Sequence, residues 1–141
     1  MKKIIGLFAI SALLLSCDKE KVIPKLDTPL EIQDYTETHF PSNAIIQTIE
    51  EKEGFKKSYD VLLEGNFSLE FDKKYNITEI DGVSALPSSV IPTQVLSYVN
   101  SNYPNEWITE WSLESNFQVV ELNNHIELEF NMDGNFIRVD N

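Results

Sequence analysis

The sequence predicts an α+β protein made of two tandem α-β-β-β-β units, with the helices on one face of an antiparallel sheet. Three observations carry this: an internal repeat, helical apolar spacing ending at aromatic-Pro pairs, and strand-like alternation after each pair. The repeat is read by offset. Tyr35 and Tyr98 each stand five residues before an aromatic-Pro pair, Phe40-Pro41 and Tyr103-Pro104, an offset of 63 that also aligns Pro29 with Pro92, Ile32 with Val95 and Ile45 with Ile108. Further on, Leu69-Glu70-Phe71 matches Leu128-Glu129-Phe130, Asn76 matches Asn135 and Asp81 matches Asp140, all at an offset of 59. Four residues are therefore missing between the two blocks of the second copy.

Taken in order, residues 1–16 read as a leader. Lys2 and Lys3 precede an uncharged run from Ile4 to Ser16. It is shorter than the ~20 apolar residues of a membrane-crossing helix and suits the apolar region of a secretory signal. Leu14-Leu15-Ser16-Cys17 resembles a bacterial lipobox, which implies lipidation at Cys17, the chain's single cysteine. With that thiol used, no disulfide, thiolate nucleophile or Cys metal site is expected. Several acyl chains at ~0.8 kcal/mol per buried methylene hold a body on a membrane where one chain holds marginally. The expected location is the bacterial envelope, the outer membrane in preference, with the face left open. Residues 17–27 are polar and broken by Pro24, so they read as a lipidated tether.

The first unit is expected over 28–83 and the second over 84–141. Thr28-Pro29-Leu30-Glu31 has the pattern of a capping box with Pro at the first helical position, followed by Ile32, Tyr35 and His39 on one face. In the second copy Ser88 or Ser89 is placed to cap, with Pro92 in the first turn and Ile91, Val95 and Tyr98 at helical spacing. The residue before proline is pushed out of the α region, so both helices end at the aromatic-Pro pairs. A strand is expected at Ala44–Glu50 and at Ile108–Leu113. Alternation then predicts hairpins around Glu64-Gly65-Asn66 and Asn123-Asn124-His125, and last strands at Ile77–Ile80 and Phe136–Val139.

A lipobox followed by two copies of helix, aromatic-Pro, strand, hairpin and a final Leu-Glu-Phe-x4-Asn-x4-Asp strand pair resembles the PepSY-like, beta-lactamase-inhibitor-like secreted lipoproteins of Gram-negative bacteria. The resemblance covers residues 28–141. It is carried by Tyr35, Phe40-Pro41, Gly65, Phe71 and Asn76, and by Tyr98, Tyr103-Pro104, Phe130, Gly134 and Asn135. The first copy departs with Lys74-Tyr75 where the second has Asp133-Gly134, and the second with Asn124 where the first has Gly65. The resemblance implies the architecture, and inhibition of a peptidase or lactamase by implication only.

Charge narrows the function. The chain has 141 residues, 11 Lys+Arg against 23 Asp+Glu, and a net charge of −12. Loss of residues 1–16 removes two lysines and no acids, giving 9 − 23 = −14. So acidic a chain offers no basic patch for nucleic acid, and is not expected to adhere electrostatically to anionic lipid. No cofactor or metal ligand set is visible: there is no H-E-x-x-H, no Cys pair and no G-x-S-x-G elbow, and the two histidines read as a helix-end residue (His39) and a turn residue (His125). Asn131-Met132-Asp133-Gly134-Asn135 reads as a hairpin turn rather than an EF-hand, which spreads its ligands over about twelve residues. Glu70, Glu127 and Glu129 alternate with Leu69, Leu128 and Phe130, hence are expected as solvated acids on the outward sheet face rather than a catalytic pair.

The candidate binding face is Trp107, Trp111, Val119, Glu121 and Glu129. The tryptophans are four apart in an expected strand, which puts both on one side. If Ile108 faces the helix, they form an exposed aromatic patch for a protein partner, tryptophan being enriched at interface hot spots. The opposite register places both indoles in the core. The expected function is a non-enzymatic, lipid-anchored envelope module that binds a protein; the alternative is a small-molecule or Ca2+-responsive sensor using the acidic face. Whether the two sheets are continuous is not legible.

Overall fold

A computed structural model describes residues 19–140. The leader and Cys17 lie outside the described residues. The element order is β1 (Lys19–Ile23), α1 (Leu30–His39), β2 (Ile45–Glu53), β3 (Lys56–Leu63), β4 (Phe67–Asp72), β5 (Ile77–Gly82), α2 (Thr93–Asn102), β6 (Ile108–Leu113), β7 (Phe117–Leu122), β8 (Glu127–Asn131) and β9 (Phe136–Asp140). The α-β-β-β-β order thus occurs twice. All nine strands form one antiparallel sheet in sequence order, so the two halves are continuous through β5 and β6.

The stretch expected as a tether departs from expectation. Lys19–Ile23 pairs along β2, from Lys19 opposite Lys52 to Ile23 opposite Thr48, and Lys25–Asp27 forms a 3-10 turn. Its charged residues hid a strand whose apolar content is only Val22 and Ile23, an edge strand that the sheet recruits through backbone pairing.

Local chemistry explains most of the rest. Pro29 and Pro92 occupy the N-cap positions, and neither helix start has a side-chain cap. The expected capping box is not formed, because Thr28 turns inward and its hydroxyl pairs with that of Thr48 at 3.0 Å. Nor do Ser88 and Ser89 cap α2: they sit in a 3-10 turn, where the Ser89 hydroxyl meets His39 Nδ1 at 2.9 Å. Phe40 and Tyr103 stand just past the ends of the two helices, as expected of residues before proline.

The register fixes two faces. One row runs across eight strands through Thr48, Val61, Leu69, Ile80, Trp111, Val120, Leu128 and Val139. All but Val139 are buried. Tyr35 of α1 meets Phe71 edge-on at 5.4 Å, and Tyr98 of α2 meets Phe130 edge-on at 5.4 Å and stacks on Phe136 at 4.5 Å. Helix and strand side chains form one core that spans both copies, with Ile32, Val95 and Val99 among its fully buried members.

Both copies repeat the same irregularities. Bulges fall between Ile45 and Gln47 and between Ile108 and Glu110, and again between Glu70 and Phe71 and between Glu129 and Phe130. Positive φ recurs at Asn66 (59°) and His125 (63°), and at Tyr75 (65°) and Gly134 (82°). Tyr75 therefore adopts the left-handed backbone that its counterpart reaches with glycine. In the first hairpin Gly65 adds a second positive φ of 80°, a position where the second copy has Asn124 without one.

Candidate functional site

The face opposite the apolar row is built from alternate residues of the same strands, and it is lined with carboxylates. One register row runs Ile49, Asp60, Glu70, Glu79, Ser112, Val119, Glu129 and Arg138. The next runs Leu62, Ser68, Asp81, Glu110, Glu121, Glu127 and Asp140. Asp60, Glu70 and Glu79 are direct neighbours in the first, and five acids stand side by side across β5 to β9 in the second. Like charges directly opposite one another destabilise a sheet, so nothing in the folding of these strands calls for them.

Their environment shows in their protonation. Burial, and then the charges of Glu79, Glu121, Asp81 and Glu127, push the Glu110 carboxyl from 4.5 up to about 7. Burial first raises both Asp60 and Glu70, and neighbouring carboxylates add to the rise, against a lowering hydrogen bond with Glu51 at Asp60; the more exposed Glu79 is raised too. The expectation of solvated acids is thereby corrected for Glu70, while Glu127 is exposed. Glu70 and Glu110 are half-buried, because the pleat of a wide sheet shields the base of each side chain.

Glu129 differs. It is buried, with Arg138 donating Nε to Oε2 and an Nη to Oε1, both at 2.8 Å. That bidentate pairing holds its carboxyl below the ordinary range. Arg138 is the one cation in either row. Glu129 is thus a neutralised structural acid, and Glu110, Glu121 and Glu127 are the acids beside it on the neighbouring row, Glu121 in contact with the His125 ring. They border a shallow depression of about 300 Å³ with Glu114, Phe117 and Val119.

The tryptophans separate. Trp111 is 6% exposed and in the core, whereas Trp107 is 48% exposed. Neither expected register holds for the pair, because the bulge between Ile108 and Glu110 inserts a residue and flips the alternation between them. Trp111 Nε1 donates to Gln118 Oε1 at 3.0 Å, and the Gln118 amide donates to the Asn131 carbonyl at 3.1 Å. The repeat carries the same site in other chemistry: Thr48 of the first copy aligns with Trp111 and also lies buried. Trp107 borders a second depression, of about 340 Å³, with Asp81, Val83, Thr109, Glu121 and His125. The Trp107 and Asn123 backbones are tied by Asn123 N–H to the Trp107 carbonyl at 3.0 Å, and the Trp107 N–H to Asn123 Oδ1 at 2.8 Å. Of the candidate face, then, Trp107, Val119, Glu121 and Glu129 belong to the carboxylate side and Trp111 does not. Sequence reasoning missed Asp60, Glu79, Asp81 and Glu110, whose assembly into rows depends on strand register.

Among the described residues no three His, Cys, Asp or Glu side chains are arranged to hold a metal ion. His39 Nδ1 meets the Ser89 hydroxyl at 2.9 Å in an exposed contact, and the His125 ring meets Glu121 at 2.6 Å.

Three solved structures are similar over most of their length. A Bacteroides vulgatus protein described as a "putative periplasmic protein" is 36% identical with a TM-score of 0.81, the match covering 89% of this chain and 99% of that one. A "putative calcium-regulated periplasmic protein" from Bacteroides thetaiotaomicron is 30% identical, with a TM-score of 0.81 and coverage of 86% and 97%. A second Bacteroides vulgatus protein, a "putative periplasmic protein of unknown function", is 25% identical, with a TM-score of 0.81 and coverage of 87% and 100%. A search of curated proteins finds no match. The family model described as "Putative beta-lactamase-inhibitor-like, PepSY-like" matches twice, over residues 13–79 and 57–138. With both copies of the repeat matched, the chain belongs to the PepSY-like, beta-lactamase-inhibitor-like family.

Proposed function

We propose that this protein is a non-enzymatic, lipid-anchored binding module of the bacterial envelope, and that its carboxylate sheet face accepts a cationic segment of a partner protein. In this reading the two helices cover the apolar face of the sheet and leave the other face free for the partner. The observation that carries it is the register itself: Asp81, Glu110, Glu121, Glu127 and Asp140 stand opposite one another on five consecutive strands. A basic segment laid across them would relieve repulsion that the isolated fold retains, and Trp107 at the margin supplies an exposed aromatic. The periplasmic description of the similar structures and the Cys17 lipobox support the envelope placement.

A lysine-rich extended peptide titrated calorimetrically against the full chain tests this. Binding that weakens with salt and is lost in Glu110→Gln/Glu121→Gln supports the reading; binding unaffected by that pair removes the face from the account. A second reading, a Ca2+-responsive sensor, is favoured by one relative being described as calcium-regulated. It predicts saturable stabilisation by CaCl2 at constant ionic strength, as expected of a ligand specific for the folded state.

A further inference from the structure

The first copy carries something the second lacks. Ile45 and Val61 are 16 residues apart, whereas their counterparts Ile108 and Val120 are 12 apart, so the four-residue difference between the copies lies in the β2–β3 hairpin. There β2 and β3 run nine and eight residues, against six each for β6 and β7. Two extra residues per strand lengthen the hairpin by about 7 Å. The repeat shows that the fold does not need them.

What the extension carries is unlike the rest of the molecule. Its apex is Gly54, at φ 59°, and Phe55, whose side chain is fully exposed. Lys52, Lys56 and Lys57 are on its strands. The antiparallel register brings the β4–β5 turn to the same end, since Ser58 pairs with Asp72. Asp72 Oδ1 accepts from the backbone N–H of Lys74 at 2.7 Å and of Asn76 at 3.0 Å, holding Lys73 and Lys74 beside the apex. Phe55, Lys56, Lys57, Lys73 and Lys74 border one depression of about 650 Å³, which Glu51, Glu53, Glu70 and Asp72 also line. Strand β1 adds Lys19, opposite Lys52, and Lys21.

These seven lysines stand among six carboxylates, Glu20, Glu50, Glu51, Glu53, Glu70 and Asp72, while the other described residues carry two cations and 16 carboxylates. Charge is therefore segregated. The mean acidity that predicts repulsion from anionic lipid does not describe this end. Lys52 and Lys57 are drawn to Glu50 at 2.8 and 2.9 Å, while Lys56, Lys73 and Lys74 are exposed cations that line the same depression as Phe55.

The same end is where β1 starts. Lys19 is the first residue of β1, and Cys17 precedes it by two positions in the sequence. We propose that the β2–β3 apex, Phe55 with the lysines around it, rests on an anionic lipid surface at the end of the molecule that bears the Cys17 anchor. An aromatic ring between lysines suits the headgroup boundary, where the ring enters the interface and the ammonium groups remain at the phosphates. Among the described residues no helix is long and apolar enough to cross a membrane. Docked this way, the strands stand away from the bilayer and the carboxylate rows are held clear of it. The orientation rests on the lipoprotein reading above; the lipid contact of the apex does not.

The test uses the full chain with Phe55→Trp in vesicles of phosphatidylcholine alone or mixed with phosphatidylglycerol, with brominated acyl chains as quencher and the parent chain as background. The added emission should shift to the blue and be quenched in the anionic vesicles. It should recover in about 1 M salt, where the Debye length is ~3 Å, and in Lys56→Glu/Lys73→Glu/Lys74→Glu. Circular dichroism establishes that each variant is folded. Emission unquenched in either vesicle overturns the lipid contact, and equal quenching in both overturns the role of the lysines. Mass spectrometry of Cys17 separates the two readings: lipid present with the apex unquenched sinks this inference alone, while a quenched apex without lipid upholds the contact and sinks the anchor.

Discussion

Replacing Glu110 by glutamine should stabilise the protein, in a pH-dependent way. Glu110 faces Asp81 on β5 and Glu121 on β7, with Glu79, Glu127 and Arg138 further along the same face. Its carboxyl is raised from 4.5 to about 7, mainly by burial. The folded state thus binds a proton more readily than the unfolded chain, and stability rises as pH falls from about 7 to 4.5. Above pH 7 the full penalty of the charged form is present. That elevation corresponds to about 3 kcal/mol, and solvent reaching a half-buried side chain screens it to about 1–2 kcal/mol. Glutamine keeps the shape and removes the charge. Thermal melts at pH 8 should therefore show Glu110→Gln ahead of the parent by roughly 3–8 °C, with the gain vanishing near pH 4.5. A variant that melts at or below the parent at pH 8, or a gain of equal size at both pH values, would refute the burial and repulsion argued for this face.

Other outcomes follow from the core and the turns. Trp111→Ala should cost about 3–5 kcal/mol by leaving a cavity in a packed core, while Trp107→Ala costs less than about 1 kcal/mol; denaturant midpoints compare them directly. Gln118→Leu leaves the buried Trp111 N–H without its acceptor and should cost about 1–3 kcal/mol, read by urea unfolding. Gly134→Ala should cost about 2 kcal/mol or more, since the residue has φ 82° and a Cβ would lie 2.6 Å from the Gln94 side chain. Arg138→Gln should return the Glu129 carboxyl upward toward, or past, its ordinary range, which carboxyl NMR titration would report; an unmoved titration would show that the pair is not what lowers it.

How far the sequence went can be followed at particular residues. Helix ends at Phe40-Pro41 and Tyr103-Pro104, and the strands from Val61 to Leu69 and from Val120 to Phe130, were legible because proline sterics and alternating burial act within a few residues. Strand β1 was not, because an edge strand of lysine and glutamate has no apolar face to show. The tryptophan pair marks the sharper limit. Spacing four apart places two side chains together only in an unbroken strand, and the bulge after Ile108 breaks it. One hint was available: Ile108 and Trp111 are three apart, as are their buried-side counterparts Ile45 and Thr48, a parity that a regular strand cannot satisfy with both inward.

By itself the sequence determined a duplicated α+β chain of the PepSY-like family, its hairpins, and the acids that alternate with the apolar core positions. Local sterics and pattern suffice for these. Only the tertiary structure decided that nine strands join in one sheet, that Asp81, Glu110 and Glu121 become neighbours, and that the lysines of three separate segments gather beside Phe55. Each of these depends on which residue lies opposite which across strands, and a single inserted residue in one strand is enough to move a side chain from one face to the other.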